Sequence, residues 1–215
     1  MTTTTLASDV LVGDLLDIAP VVPVVVLHDV EHAVPLAQAL LRGGIGIIEV
    51  TLRTGAGLPA LERIAREVPG MVAGAGTVTT PAQVDAVRNA GAQFLVTPGS
   101  PDRLLGAALD SGLPLLAGAS TVTEMMRLAE RGLTSLKFFP AEASGGREYL
   151  SAVSGPLPDL RFCPTGGISA ATAQEYLALP NVGCVGGSWL TPRDAVESGD
   201  WDRVERLAAE AAALR

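Results

Sequence analysis

The sequence predicts a (β/α)8 TIM barrel, an α/β fold in which helices surround eight parallel strands. Short, apolar, β-rich runs occur eight times along the chain, and a helix-like segment follows each one. The runs begin about 23 residues apart on average, a spacing too regular for two unrelated domains. Strands that alternate with amphipathic helices pair in parallel, and eight such units close into a barrel. We therefore expect a single domain over residues 1–215, with an open doubly wound sheet as the competing architecture.

The predicted elements follow in chain order, each marked by local signals. An extra helix over about Ala7–Asp17 is expected before the barrel, and residues 1–5 are expected to be disordered. The strands begin near Val21, Ile45, Met71, Gln93, Leu115, Ser135, Leu160 and Val182. Capping residues and first-turn prolines indicate helix starts at Thr79-Thr80-Pro81, Ser100-Pro101, Thr123-Glu124 and Ser169. Glycines indicate helix ends at Gly91, Gly112 and Gly132, and an alanine-rich last helix is predicted over Asp202–Leu214.

Composition excludes several classes of protein. With 48% hydrophobic and 18% charged residues, the chain is too apolar to be disordered. A net charge of −8 without a Lys/Arg cluster argues against nucleic-acid binding. The longest uncharged stretches, Val68–Val84 and Tyr176–Pro192, are broken by proline and shorter than the roughly 18 to 20 residues of a membrane span. The start of the chain does not resemble a signal peptide and there are two cysteines, so we expect a cytoplasmic protein.

The second predicted strand, IGIIEVTLRT, carries charged side chains among apolar ones. Side chains alternate faces along a strand, so Glu49, Thr51 and Arg53 share one face and the apolar residues share the other. The apolar face packs on helices, which directs the polar face into the barrel, toward the end where barrels place catalytic groups. The alternative is a buried Glu–Arg pair with a structural role.

The sixth predicted strand contains Lys137, the only lysine of a chain whose other basic residues are all arginine. A charged amine between Leu136 and Phe138 is costly to bury, so its head either reaches solvent or loses its charge. A neutral lysine is a nucleophile that forms Schiff bases with carbonyl carbons, whereas arginine stays protonated. The use of lysine at this position therefore favours Schiff-base chemistry.

Glycine-rich turns follow the last two predicted strands, in the segments CPTGGIS and CVGGSWL. Barrels often bind phosphate in these two loops, because glycine lets backbone N–H groups approach the anion. Gly166-Gly167 and Gly186-Gly187-Ser188 are therefore candidates for a phosphate site. Thr77, after the third strand, either points a hydroxyl into the barrel or starts a helix.

Other motifs are better explained without a cofactor. The segment His28–His32 matches H-x-x-E-H, a zinc pattern, but it spans a predicted strand end and a helix start. The chain has two histidines in all, so we predict no metal site and assign Asp29 to helix capping. Dinucleotide and Walker motifs are absent from the sequence. Cys163 and Cys184 are expected to be small buried hydrophobic residues.

Six segments in this order and spacing resemble the 2-keto-3-deoxy-6-phosphogluconate (KDPG) aldolase family of class I aldolases. They are GGIGIIEVTLRT, GAGTV, GAQFLVTPG, LKFFPAEASGG, RFCPTGGIS and GGSWL. The resemblance runs from about Val21 to Trp189. It implies that Lys137 forms the Schiff base, that Glu49 is the general acid/base, and that Arg53 and Thr77 hold the carboxylate of the substrate. It also implies a pocket shaped by Pro98 and Phe139, and a phosphate end lined by Thr165, Gly166, Gly167, Gly187 and Ser188.

The resemblance further implies a metal-independent carbon–carbon lyase that needs no cofactor and assembles as a homotrimer. Its substrate would be KDPG, cleaved to pyruvate and D-glyceraldehyde 3-phosphate. Two related substrates stay open, 4-hydroxy-2-oxoglutarate and 2-keto-3-deoxy-6-phosphogalactonate. A metal-dependent aldolase and a non-catalytic sugar-phosphate-binding barrel are the alternatives from other classes, and the second leaves Lys137 unexplained.

Overall fold

Eight parallel strands form a nearly closed barrel in a computed structural model that describes residues 15–214. The strands are β1 (Val21–Val25), β2 (Ile47–Thr51), β3 (Val72–Gly76), β4 (Phe94–Val96), β5 (Leu115–Ala119), β6 (Ser135–Phe138), β7 (Arg161–Pro164) and β8 (Val185–Gly187). The helices that follow them are α1 (Ala33–Arg42), α2 (Gly57–Glu67), α3 (Pro81–Asn89), α4 (Asp102–Asp110), α5 (Val122–Ala129), α6 (Gly146–Ser154), α7 (Ala170–Leu177), α8 (Arg193–Ser198) and α9 (Trp201–Ala212). Two short 3-10 helices, Val30–His32 and Glu142–Ser144, precede α1 and α6.

Pairing between the first and last strands closes the barrel. Neighbouring strands pair in sequence order from β1 to β7, and β1 also pairs with β8. Two isolated bridges, Phe162 to Val182 and Thr165 to Gly186, join β7 to β8. The predicted barrel is confirmed and the open doubly wound sheet is wrong, because such a sheet would leave two unpaired edges.

The strands are buried because helices cover the outside of the barrel and side chains fill its interior. All residues of β1, β2, β4, β5 and β6 are buried, as expected for a parallel sheet covered on both faces. The helices contribute amphipathic faces, and in α2 the residues Ala60, Leu61 and Ile64 point inward while charged residues face outward. The cavity described below opens at the carboxyl ends of the strands.

Caps fix where several helices begin. Thr80 accepts a hydrogen bond from the N–H of Gln83, whose side chain accepts one from the N–H of Thr80, and Pro81 starts α3. Ser169 is the N-cap of α7, as predicted. The α5 helix begins at Val122 with Thr121 as its N-cap, two residues before the predicted Thr123. Two of these caps, Thr80 and Ser169, come a few residues after the candidate site residues Thr77 and Gly167.

Ser100 does not cap α4, and that prediction is wrong. Pro101 occupies the N-cap position. The hydroxyl of Ser100 instead donates to the carbonyl oxygen of Gly118 at 3.1 Å and lies 3.2 Å from the Thr97 hydroxyl. Ser100 therefore ties the loop after β4 to the neighbouring strand β5.

The predictions for the two ends of the chain have different outcomes. The helix predicted over Ala7–Asp17 lies almost wholly outside the described residues, as does the disorder predicted for residues 1–5. Within the described part, Arg161 of β7 donates to both carboxylate oxygens of Asp17, at 2.7 and 3.0 Å. The last helix ends at Ala212, close to the prediction. None of the helices between residues 15 and 214 is long and apolar enough to span a membrane.

Candidate active site

Lys137 and Glu49 meet inside the barrel from opposite strands. The Nζ atom of Lys137 donates to Oε1 and Oε2 of Glu49, at 3.1 and 3.2 Å. Lys137 is 4% exposed and Glu49 is 2% exposed. The alternative in which the lysine head reaches solvent is therefore wrong. The predicted inward orientation of Glu49 is confirmed by its contact with a strand on the far side of the barrel.

A glycine of the third strand leaves the space that the Glu49 side chain occupies. A Cβ atom placed on Gly76 of β3 would overlap the carboxylate of Glu49. Thr51, on the same face of β2, donates its hydroxyl to the carbonyl oxygen of Val25 at 2.8 Å. That hydroxyl therefore holds two strands together. Gly76 explains part of the GAGTV segment, since any side chain there would displace the carboxylate from Lys137.

Arg53 follows β2 and is exposed, so it does not form the buried pair with Glu49 that the structural alternative requires. Its Nε atom donates to the hydroxyl of Thr77 at 3.2 Å. Thr77 has a φ angle of +59°, in the left-handed region that β-branched residues rarely adopt. Such a conformation costs about 1–3 kcal/mol and is typical of functional sites. Because Thr80 is the N-cap of α3, the helix-start alternative for Thr77 is wrong.

A cavity of about 310 Å³ opens at the carboxyl ends of the strands. Seven predicted site residues line it: Arg53, Phe139, Thr165, Gly166, Gly167, Gly187 and Ser188. The remaining lining residues are Val24, Val26, Ile168 and Gly186. The Nζ atom of Lys137 lies 5.6 Å from the centre of the Phe139 ring, so the buried amine lies next to one wall of this cavity.

The far wall of the cavity is mainly backbone. Gly166 and Gly167 have φ angles of +103° and +85°, which other residues rarely adopt. Thr165 packs against Gly186, where a Cβ atom would overlap the threonine hydroxyl. Gly187 lies against the ring of Trp189 and has no room for a side chain either. The two glycine turns therefore present main-chain groups to the cavity, as the phosphate-site prediction requires.

Four predicted site residues are not among those that line this cavity: Glu49, Thr77, Pro98 and Lys137. Pro98 is the one of the four that has no side-chain contact to another predicted site residue described above. It is half-buried after β4, and its backbone lies against Gly118 of β5. The N–H of Gly118 donates to the Thr97 hydroxyl at 3.2 Å, which fixes the strand end just before Pro98. A larger cavity of about 510 Å³ lies between α4 and α5, and no predicted site residue lines it.

Cys163 is a neighbour of Lys137, although the sequence predicts only a packing role for it. It is opposite Lys137 in the register of β6 and β7 and is buried, as is Cys184. Cys184 comes just before β8 rather than within it. A hydrogen bond with Cys184 lowers the pKa of the Cys163 thiol against the effect of burial, and the charge of Lys137 acts in the same direction.

The H-x-x-E-H segment forms the start of a helix. Asp29 accepts the N–H of Glu31 at 2.9 Å and caps the 3-10 helix Val30–His32, as predicted. The His32 ring packs edge-on against Trp201, with ring centres 5.6 Å apart. Within residues 15–214, no group of three or more His, Cys, Asp or Glu side chains is placed to hold a metal ion.

Comparison with known proteins identifies the family of this chain. The family model described as "Aldolase: KDPG and KHG aldolase" matches residues 12–207. The chain belongs to this family. The 2-dehydro-3-deoxy-phosphogluconate aldolase of Pseudoalteromonas atlantica is 54% identical over 93% of each chain. The KHG/KDPG aldolase of Escherichia coli K12 is 53% identical over 92% of each chain.

Solved structures of family members share the barrel. The KDPG aldolase of Legionella pneumophila, crystallised with pyruvate captured at low pH as a covalent carbinolamine, matches with a TM-score of 0.93 and 44% identity. The match covers 94% of this chain and 98% of that one. The Zymomonas mobilis ZM4 enzyme with 3-phosphoglycerate matches with a TM-score of 0.90 and 39% identity, over 98% of both chains. The chain is therefore an aldolase, a carbon–carbon lyase that uses Schiff-base chemistry.

Proposed function

We propose that this aldolase cleaves KDPG to pyruvate and D-glyceraldehyde 3-phosphate through a Schiff base on Lys137. One observation carries the proposal. The buried Nζ atom lies 3.1 and 3.2 Å from the two carboxylate oxygens of Glu49, beside a cavity open to solvent. A lysine that gives a proton to such a carboxylate becomes a nucleophile, and the carboxylate can return that proton to the substrate.

Imine formation uses both residues. The Lys137 amine attacks C2 of the keto acid, and Glu49 gives the C2 oxygen the proton that it received from the ammonium. Glu49 then takes the proton that the nitrogen loses. The resulting carbinolamine carries a hydroxyl on C2, which Glu49 protonates so that it leaves as water. The product is a cationic imine between C2 and Nζ. Because this cation withdraws electrons from the neighbouring bonds, cleavage needs no metal ion to polarise the carbonyl.

Lys137 and Glu49 also carry out bond cleavage and product release. Glu49 removes the proton of the C4 hydroxyl, the C3–C4 bond breaks, and its electron pair moves toward the imine nitrogen. Glyceraldehyde 3-phosphate leaves, and the enamine that remains takes a proton at C3. Water then attacks C2, the C2–N bond breaks, and pyruvate and free Lys137 are regenerated. Each proton that one step releases to Glu49 can be used in a later one.

We assign the two anionic ends of the substrate to two different groups of residues. We assign the carboxylate to the Arg53 guanidinium and the Thr77 hydroxyl, which already contact each other at 3.2 Å. The phosphate is assigned to the glycine turns with Thr165 and Ser188, where backbone N–H groups can donate. Phe139 and Pro98 are assigned to the walls around the imine. A local arrangement of donors of this kind can hold an anion although the chain carries a net charge of −8.

A second substrate is favoured by the names of close relatives. The Escherichia coli relative is called a KHG/KDPG aldolase, so 4-hydroxy-2-oxoglutarate, which has no phosphate, is the main alternative. 2-Keto-3-deoxy-6-phosphogalactonate, which differs in stereochemistry, is a further one. Measuring kcat/KM for all three compounds decides among them. The highest value for a compound other than KDPG would contradict the proposal.

Borohydride trapping tests the mechanism directly. With pyruvate and sodium borohydride, we expect one reduced adduct at Lys137 and loss of activity, because borohydride reduces the imine to a stable amine. Intact mass and peptide mapping detect the adduct and locate it. The assignment to Lys137 is unambiguous among side-chain amines, since the chain has a single lysine. Borohydride without pyruvate is the control. No adduct, or an adduct confined to the terminal amine, would exclude the proposed role of Lys137.

Ser188→Ala tests the phosphate end. We expect kcat/KM for KDPG to fall by about tenfold, the effect of losing one hydrogen bond to a charged group at an exposed position. The value for 4-hydroxy-2-oxoglutarate should stay within twofold. Ser154→Ala is the control, because that exposed hydroxyl on α6 donates only to the carbonyl of Ser151 within the described structure. Equal losses for both substrates would remove Ser188 from the phosphate site.

We also propose that residues 1–215 form one domain and that the enzyme is a cytoplasmic homotrimer. Two large apolar side chains on α5 support a subunit contact, since Val122 is 36% exposed and Met126 is 49% exposed. Sedimentation velocity tests the assembly, and a monomeric mass would contradict it.

A further inference from the structure

Tyr176 and Glu142 form a hydrogen bond that the proposed chemistry does not use. Tyr176, on α7, is 0% exposed, and its hydroxyl donates to Oε1 of Glu142 at 2.5 Å. Burial, followed by the hydrogen bond to Glu142, raises the pKa of Tyr176 well above its ordinary value. The phenol therefore stays protonated and keeps its role as a donor. Glu142 begins the short 3-10 helix that follows β6.

Glu142 lies directly over the glycine turn after β7. A Cβ atom on Gly167 would be 2.5 Å from Cγ and 2.7 Å from Cβ of Glu142. The backbone N–H of Glu142 also donates to the carbonyl oxygen of Gly166 at 3.1 Å. One residue before, the N–H of Ala141 donates to the Thr165 carbonyl at 2.8 Å. Glu142 thus contacts the turn through both its backbone and its side chain.

The hydrogen bond from Tyr176 fixes the direction of the Glu142 side chain. Gly146, at the start of α6, leaves room for the tyrosine hydroxyl, since a Cβ atom there would lie 3.2 Å from it. Glu142 is not among the residues that line the 310 Å³ cavity. The Cβ and Cγ atoms of Glu142 therefore contact the turn, while its carboxylate is held by Tyr176.

A glycine turn needs such support if it is to bind an anion well. Glycine has more conformational freedom than any other residue type. If Gly166 and Gly167 became ordered only on binding, the cost of ordering them would reduce affinity. A turn that is already held in shape avoids that cost. We infer that Glu142, locked by Tyr176, is a positioning residue that holds Gly166 and Gly167 in the conformation that binds the substrate phosphate. The inference rests on the proposed function, because it concerns the phosphate end of that substrate.

A positioning role for Glu142 predicts different effects at the two ends of the substrate. Loosening the turn should weaken binding of the phosphate while leaving the Lys137–Glu49 chemistry unchanged. Loss of an interaction made equally in the ground state and the transition state raises KM and leaves kcat unchanged. A purely structural role would instead reduce stability and affect all substrates alike.

Three variants test it: Tyr176→Phe, Glu142→Ala and Glu142→Gln. The first two remove the hydrogen bond, and we expect each to raise KM for KDPG by about five- to tenfold, with kcat within twofold. Glu142→Gln keeps the acceptor oxygen and the methylene groups over Gly167, so its KM should stay within twofold of the wild type. Tyr149→Phe is the control, because the Tyr149 ring stacks on Phe138 and its hydroxyl has no hydrogen bond within the described residues.

Two binding measurements complete the test. Calorimetry with 3-phosphoglycerate should show a dissociation constant five- to tenfold higher in Tyr176→Phe and Glu142→Ala, as expected for a loosened anion site. The pyruvate concentration that gives half-maximal borohydride inactivation should not change, since pyruvate has no phosphate.

The outcomes keep this inference apart from the proposed function. Failure of the wild type to trap pyruvate would overturn the proposed function. Normal trapping with an unchanged KM in Tyr176→Phe would overturn the positioning role alone. The positioning role is also overturned if the binding of pyruvate and that of 3-phosphoglycerate weaken equally. It is overturned as well if the KM of Glu142→Gln rises as much as that of Glu142→Ala. Thermal unfolding monitored by circular dichroism identifies any variant that has lost its fold, and Glu142→Gln then remains as the comparison.

Discussion

Lys137→Arg is expected to lower kcat by at least about 10⁴-fold, the scale seen when a covalent nucleophile is removed, while the barrel stays folded. Arginine can still form an ion pair with Glu49, which limits the loss of stability. Its guanidinium remains protonated at any pH at which the protein is folded, so it cannot attack C2 of the substrate. The variant therefore separates the charge of the side chain from its nucleophilicity.

The test of Lys137→Arg measures both the reaction rate and whether the variant is folded. Pyruvate release gives kcat, intact mass after borohydride treatment gives the adduct, and far-UV circular dichroism follows unfolding. Arg127→Lys is the matched control, because it places a lysine on the exposed surface of α5 near Asp102. It should keep full activity and gain no second adduct. Activity of Lys137→Arg within a hundredfold of the wild type would contradict the Schiff-base assignment.

Glu49→Gln is expected to lower kcat by about 10³-fold, within the range for loss of a general acid/base. Glutamine is nearly the same size and can still accept a hydrogen bond from Lys137, but it cannot take or return a proton. The ion pair is buried, so leaving the ammonium without a countercharge should also reduce the free energy of unfolding by about 3 kcal/mol. Slower borohydride trapping with pyruvate should accompany the loss of turnover.

Urea unfolding and stopped-flow trapping measure the two effects. The control is Glu205→Gln, which removes the carboxylate of an exposed ion pair with Arg42. Exposed pairs contribute little because water screens them, so this variant should unfold almost as the wild type does and keep its activity. A kcat for Glu49→Gln within tenfold of the wild type would show that another group moves the protons.

Local patterns predicted the elements well because each strand and helix carries its own signals. The strand predicted near Val21 begins at Val21, and those predicted near Leu115 and Ser135 begin at those residues. Alternation placed Glu49 inside the barrel, and this prediction is confirmed by its contact with Lys137. The same alternation could not select between Lys137 and Arg53 as its partner. That selection depends on closure of the barrel, which brings together residues 88 positions apart.

Other features depend on geometry that sequence patterns do not carry. The positive φ angle of Thr77 is not visible in a residue type that normally avoids it. Ser100 before a proline has the pattern of a helix cap, yet its hydroxyl bonds to Gly118 because β5 lies close by. Tyr176 reaches Glu142 because of the position of α7 on the barrel, and an exposed glutamate gives no sign of such a contact.

The position of β2 opposite β6 has a consequence for folding. Three strands separate them in either direction around the barrel, so the pair of Glu49 and Lys137 spans its full width. Contacts between residues so far apart in sequence form late, because a long loop must first be closed. A half-barrel intermediate that contains one of the two strands holds one member of the pair. Recovery of aldolase activity during refolding therefore reports the complete ring of strands, whereas recovery of helical signal reports only its separate units.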